Sequence, residues 1–186
     1  WDRWNAAGRE RGALGAILRD RYMRPSRVRH ELQVLAALRR EGVPVVVPVA
    51  ALARRSGAFW RLRLCTEQLA DAMPLPAFLA AHPGHRRVVA GAVGTVLHLA
   101  FAAGLRHPDL HADNVLCSVR GERVRVVLVD LDRAALSRPQ ARARDDMLAR
   151  MQRYFLRHRA QLPAIPSRAE TMRCLRALEA DPDLRH

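Results

Sequence analysis

One arrangement constrains this chain more than any other: His107-Pro108-Asp109-Leu110-His111-Ala112-Asp113-Asn114, followed sixteen residues later by Asp130-Leu131-Asp132. Residues 88–105 form the most apolar run in the chain and lead straight into the first of these segments. Residues 115–119 and 124–129 are rich in valine and read as two short strands, joined by a turn at Arg120-Gly121-Glu122. The order is therefore apolar helix, polar loop, strand, turn, strand and acidic pair. The strand pair brings the end of the second strand back to the start of the first, so Asp130 is predicted to return to the side of Asn114.

This order matches the catalytic half of the kinase fold. Phosphoryl transfer from a nucleotide needs a carboxylate that orients the acceptor hydroxyl, and oxygen ligands that hold magnesium against the phosphates. In H-x-D-x-x-x-x-N, Asp109 and Asn114 sit five residues apart, so a single loop can face both substrate and metal. Asp130-Leu131-Asp132 then supplies the second metal-binding segment. A competing reading takes the alternation of His107, Asp109, His111 and Asp113 as a hydrolytic metal centre on a strand. Pro108 sits awkwardly in a regular strand, and no further histidine cluster follows at a useful distance.

Residues 27–40 carry Val28, Leu32, Leu35 and Leu38 at helical spacing around Glu31, and Gly42 and Pro44 stop that helix. Residues 45–53 read as a strand, Ser56-Gly57 as a turn, and residues 59–66 as a second strand in which Trp60, Leu62 and Leu64 alternate with Arg61, Arg63 and Cys65. Pro74 opens a short helix ending at His82-Pro83-Gly84. Residues 88–105 are long enough to suggest a membrane span. His98, several small residues and the flanking Arg86 and Arg87 favour a buried helix instead. From Pro139 onward the chain reads as helical, with Met147, Leu148, Met151, Tyr154, Phe155 and Leu156 as the packing stripe. Pro163 and Pro166 precede a last amphipathic helix near residues 170–178. Gly8, Gly12 and Gly15 match no phosphate-loop spacing and read as a turn before a helix.

Composition narrows the setting. Hydrophobic residues make up 49% of the 186, enough for a core. All 32 basic residues are arginine, and the formal charge is +14, which suits an anionic partner or a solvated basic surface. Aromatics are only 5%, with no basic-aromatic platform, so no nucleic acid is expected. The three scattered cysteines point to a reducing compartment.

The sequence resembles the lipopolysaccharide core kinases, most closely the 3-deoxy-D-manno-octulosonic acid (Kdo) kinases. The likeness runs over roughly residues 9–160. It rests on Arg11-Gly12, Leu18-Arg19-Asp20-Arg21-Tyr22, Glu31-Leu32 with Leu35 and Leu38, Gly42-Val43-Pro44 and Pro48-Val49-Ala50. Thr66-Glu67, the loop from His107 to Asn114, and Val129-Asp130-Leu131-Asp132-Arg133 complete it. The resemblance implies an α+β, protein-kinase-like two-lobed fold. Residues 1–70 would be an incomplete N-lobe and residues 71–186 a mainly helical C-lobe. It implies ATP and Mg2+ as cofactors and a hydroxyl of Kdo on a lipid A precursor as acceptor. That substrate is an anionic glycolipid, met by peripheral contact on the cytoplasmic side of the bacterial inner membrane. Carried over by position, Asp109 is the catalytic base, and Asn114 and Asp130 are metal ligands. Glu31 partners a phosphate-binding lysine, and Glu67 lies where adenine is read. Pro108 replaces the arginine of protein kinases, which implies no control by a phosphorylated activation loop. The glycine-rich loop and its lysine strand are absent, and the expectation is that they lie upstream of Trp1. Two alternatives remain: an aminoglycoside-type or other small-molecule phosphotransferase, for which His111 is the commoner residue, and a non-catalytic kinase-like binding module.

Overall fold

The computed structural model describes residues 22, 24–121 and 123–179. Gly8, Gly12, Gly15, Arg11 and residues 18–21 lie outside the described residues, as does Glu122 of the expected turn.

Helix α1 spans Ser26–Arg40 and buries Val28, Val34, Leu35 and Leu38, while Arg39 and Arg40 oppose the negative end of its dipole. Gly42, at φ 74°, ends it in a Schellman turn. Its N–H donates to the Arg39 carbonyl at 3.1 Å, and that of Val43 to the Leu38 carbonyl at 2.9 Å.

Strands β1 (Pro48–Ser56) and β2 (Phe59–Thr66) form an antiparallel hairpin about the Gly57 turn. The expected strand over residues 45–53 is thus displaced. Val45 leaves the hairpin and makes a parallel bridge to Leu128, because Val43, Val45 and Val46 are buried in the core. Tyr22 adds an antiparallel bridge to Trp60 on the edge of β2.

Strand β3 (Met73–Pro74) leads into α2 (Leu75–Ala81) and, after a short 3-10 turn, into α3 (Arg86–Ala102). Helix α3 is the apolar helix expected over residues 88–105, but it stops at Ala102. Gly104, at φ 79°, turns the chain so that Leu105–Arg106, strand β4, pairs with the later β7 (Ala135–Leu136). A Cβ on Gly104 would lie 1.8 Å from the Ser137 carbonyl oxygen, so only glycine permits this approach.

Strands β5 (Val115–Arg120) and β6 (Arg123–Leu128) pair in antiparallel register, and β3 adds to β5, giving the order β3-β5-β6. Helices α4 (Ala141–Arg157) and α5 (Arg168–Glu179) follow. Met147 and Met151 of α4 are buried, but Leu156, expected in the same stripe, is 64% exposed because it sits on the opposite side of the helix. Helix α5 opens with a capping box: the Ser167 N–H donates to the Glu170 carboxylate at 2.7 Å, and the Glu170 N–H to Ser167 Oγ at 3.3 Å.

A single apolar core joins Leu35 and Leu38 of α1, Phe78 of α2, Leu97 of α3, Leu128 of β6 and Leu131. Among the described residues no helix is long and apolar enough to cross a membrane.

Candidate active site

The loop His107–Asn114 leaves β4 and enters β5 through a 3-10 turn at Ala112–Asn114. His107 is 2% exposed and ties both acidic segments together. Its Nε2–H donates to the Asp130 carbonyl at 2.8 Å, and its Nδ1 accepts from the Asp109 N–H at 3.0 Å. One ring nitrogen donates and the other accepts, so the ring is a neutral imidazole with its proton on Nε2. Burial pushes its pKa down. The Asp130 carbonyl and the Asp130 and Asp109 charges oppose that, and Arg133 adds to it. His107 is therefore a brace that sets the backbone of Asp109 and Asp130, with both carboxylates near its ring.

Asn114 is 3% exposed and fixes the other end of the loop. Its Nδ2 donates to the Asp109 carbonyl at 3.3 Å, and its own carbonyl accepts from the Val129 N–H at 2.9 Å. The second bond seats the residue before Asp130 directly on Asn114. Asp130 then adopts φ 57°, a left-handed conformation that aspartate tolerates better than most residues. This turn leaves the ladder and exposes the Asp130 side chain while Leu131 drops into the core.

Helix α1 docks onto the same segment. The His30 Nε2–H donates to the Ala134 carbonyl at 2.7 Å, and Arg27 forms an ion pair with Asp132. Arg27 also lies 4.9 Å over the Tyr22 ring. Asp132, expected as part of the metal-binding pair, is thus tied to α1. Glu31 is half-buried, and its pKa is pushed up to about 7, first by burial and then by the Asp130 charge, with Arg27 acting in the other direction. Glu31 thus feels the charge of Asp130 across the α1 interface.

Helix α4 closes the loop from the far side. Met147 Sδ accepts from the His107 N–H at 3.1 Å, Arg150 donates to the Pro108 carbonyl, and the Tyr154 hydroxyl donates to Asp113. The Tyr154 ring stacks on His111, with centroids 4.8 Å apart and planes at 13°.

The structure therefore brings Asp109, Asn114 and Asp130 together through His107, while Glu31 lies on α1, which docks onto the segment after Asp130. Glu67 stands apart: it is exposed at the end of β2, and its N–H donates to the Val47 carbonyl at 2.8 Å. Sequence reasoning passed over Arg27, His30, Arg150 and Tyr154, whose partners lie 41 to 105 positions away. Only the helical spacing of Arg27, His30 and Glu31 hinted that one face of α1 serves the site.

The donor set suits a hard divalent cation. Asn114 and Asp130 carry side-chain oxygens; among the described residues no group of three or more His, Cys, Asp or Glu could hold a metal ion by itself. Mg2+ is typically held by one or two protein oxygens together with phosphates and water.

The mixed helix and strand architecture is shared with a solved structure of WaaP in complex with acyl carrier protein. The TM-score is 0.64 at 24% sequence identity, covering 81% of this chain and 65% of that one. The family model for the lipopolysaccharide kinase (Kdo/WaaP) family matches residues 7–173, and the chain belongs to that family. It is 33% identical over 154 residues to a 3-deoxy-D-manno-octulosonic acid kinase of Xanthomonas oryzae pv. oryzae (strain PXO99A), covering 80% of this chain and 60% of that protein. A kinase of the same description from Xylella fastidiosa (strain M23) is 29% identical over 157 residues, covering 82% and 61%. The chain thus spans about three fifths of the length of the curated relatives it matches.

Proposed function

We propose that this chain is the larger part of a kinase that uses ATP and Mg2+ to phosphorylate a hydroxyl of Kdo on a lipid A precursor. In this reading residues 1–70 contribute part of a small lobe and residues 71–186 the large lobe of a two-lobed, kinase-like fold. The enzyme works peripherally at the cytoplasmic face of the inner membrane. The observation that carries the reading is the double tie, His107 to the Asp130 carbonyl and Asn114 to the Val129 N–H, which holds the two acidic segments side by side.

Asp109 accepts the proton of the attacking hydroxyl and aligns it toward the transferred phosphoryl group. The His107 ring fixes the backbone of Asp109 and stays neutral. Asn114 donates through Nδ2 to the loop, which leaves its Oδ1 as the oxygen for Mg2+, beside the exposed Asp130 carboxylate. Bound Mg2+ would neutralise charge on the phosphates. Glu31, with its pKa near 7, is a carboxylate short of a counter-ion, as suits a residue that pairs with a phosphate-binding cation. Glu67 is assigned to the adenine side, at the junction that follows β2.

Transfer from labelled ATP tests this, using the full-length gene product offered a Kdo-bearing lipid A precursor beside an aminoglycoside. Label in the lipid is the expected result. Label only in the aminoglycoside would sink the lipopolysaccharide role and keep a phosphotransferase. Label in neither would leave a kinase fold with another acceptor, or a binding module.

A further inference from the structure

A cavity of about 270 Å³ opens on the flank of the catalytic loop, lined by Arg106, Arg133, Arg150 and Asp146 and floored by His107 and Pro108. Three arginines and one acidic residue thus line a single space. Arg106 comes from β4, Arg133 from the segment after Asp132, and Arg150 from α4, so three separate elements converge here. Arg150 is half-buried and already donates to the Pro108 carbonyl. Arg106 and Arg133 are exposed, and among the described residues neither guanidinium has a hydrogen bond or an ion pair. Three positive side chains against one carboxylate leave the space with a net positive charge, and an oxyanion relieves the remaining repulsion. The planar fork of arginine matches carboxylate and phosphate oxygens in pairs. The volume lies just below the roughly 300 Å³ at which pockets begin to enclose a whole drug-sized ligand, so it fits one charged end of a larger molecule.

We infer that this pocket is a subsite for an anionic oxygen group of the acceptor, a carboxylate or a phosphate, held by Arg106, Arg133 and Arg150 next to the loop that carries Asp109. The inference rests on the proposed function for the identity of the acceptor, but the pocket can be read without it. Arg106 and Arg133 act as specificity-determining residues: they anchor the acceptor and leave the nucleotide alone.

Steady-state kinetics on the full-length protein test this with the doubly substituted variant Arg106→Gln, Arg133→Gln. The KM for the Kdo-bearing lipid precursor should rise about tenfold or more, the loss of a charge-assisted contact. The KM for ATP should stay in place, and the paired Arg→Lys variant should recover part of the loss. Two modified acceptors identify the group: one with the sugar carboxylate converted to an amide, the other with the lipid phosphates removed. The acceptor lacking the recognised group should show no difference between wild type and variant. An acceptor KM unchanged by the double substitution overturns the inference, as does an equal penalty on both modified acceptors. Should the wild type not phosphorylate this lipid, the proposed function fails while the pocket remains testable. Inorganic phosphate titrated into the protein should then shift the Arg106 and Arg133 side-chain NMR resonances. Resonances that do not move would overturn the pocket itself.

Discussion

At the residue scale, the proposed chemistry rests on carboxylates whose surroundings differ. Asp109 is held by its own backbone, so Asp109→Asn should keep the loop shape and lose the proton acceptor. The expected result is a fall in turnover of about 10²–10⁴-fold with nucleotide affinity preserved. Asp130→Ala, in contrast, should remove magnesium-dependent nucleotide binding, and magnesium titrations that superimpose on the wild type would refute the metal role. Glu31 offers a test by pH. Its folded pKa of about 7 lies above the ordinary 4.5, so the folded state resists its ionisation. Its favourable contribution is complete below about pH 4.5 and is lost as pH rises through about 7. Glu31→Gln should therefore flatten this decline and leave the variant about 1–2 kcal/mol more stable at pH 8, a figure reduced for its partial exposure. Urea midpoints at pH 5 and pH 8 would show it. Asp109, Asn114 and Asp130 were legible in the sequence because spacing along one loop and one hairpin dictates their meeting. The ties of Arg27 to Asp132 and of Tyr154 to Asp113 were not, because each joins residues far apart in the chain.

At the scale of elements, two devices hold the helices and strands around the site. Arg86, at the start of α3, grips Glu170 of α5 through two bonds of 2.7 and 2.9 Å and also donates to the Leu79 and Ile165 carbonyls. The Arg86 guanidinium beside it holds the Glu170 carboxyl down to about 2. This stabilisation is present above the ordinary carboxylate pKa and is lost as pH falls from about 4.5 through about 2. Glu170→Ala should cost about 2–3 kcal/mol at neutral pH, removing both the pair and the capping box, and the cost should shrink as pH falls below about 4.5. Chemical denaturation at pH 7 and pH 3 would measure this. Gly104 is the second device. Gly104→Ala places a methyl against the Ser137 carbonyl and strains a left-handed residue, so β4 and β7 would separate. A loss of about 3 kcal/mol or more in denaturant is the expected outcome. The ends of these elements were only partly readable. The apolar pattern runs through to Leu105, yet α3 ends at Ala102, because a hydrophobic run does not distinguish a helix from the buried strand that follows it.

At the scale of the whole molecule, arginine supplies every formal positive side chain, and the net charge is +14. If a protein of this charge works peripherally on an anionic glycolipid, as proposed, it should sediment with vesicles containing anionic lipid and not with neutral ones. Raising salt from 0.05 to 0.5 M should release most of it, since screening at the higher concentration shortens the reach of surface charge to a few ångströms. Binding that is indifferent to salt would contradict the electrostatic contact. The sequence by itself determined the alternation of helix, loop and strand pair, the meeting of the Asp109–Asn114 loop with the Asp130 segment, and the family to which the chain belongs. These follow from local periodicity and short spacing, which act within one or two adjacent elements. The tertiary structure alone decided that Val45 bridges to Leu128, that α1 ties Arg27 to Asp132 and His30 to Ala134, and that Arg106, Arg133 and Arg150 share one cavity. Such meetings depend on how the whole core packs, and no local pattern of residues encodes which distant side chains that packing brings together.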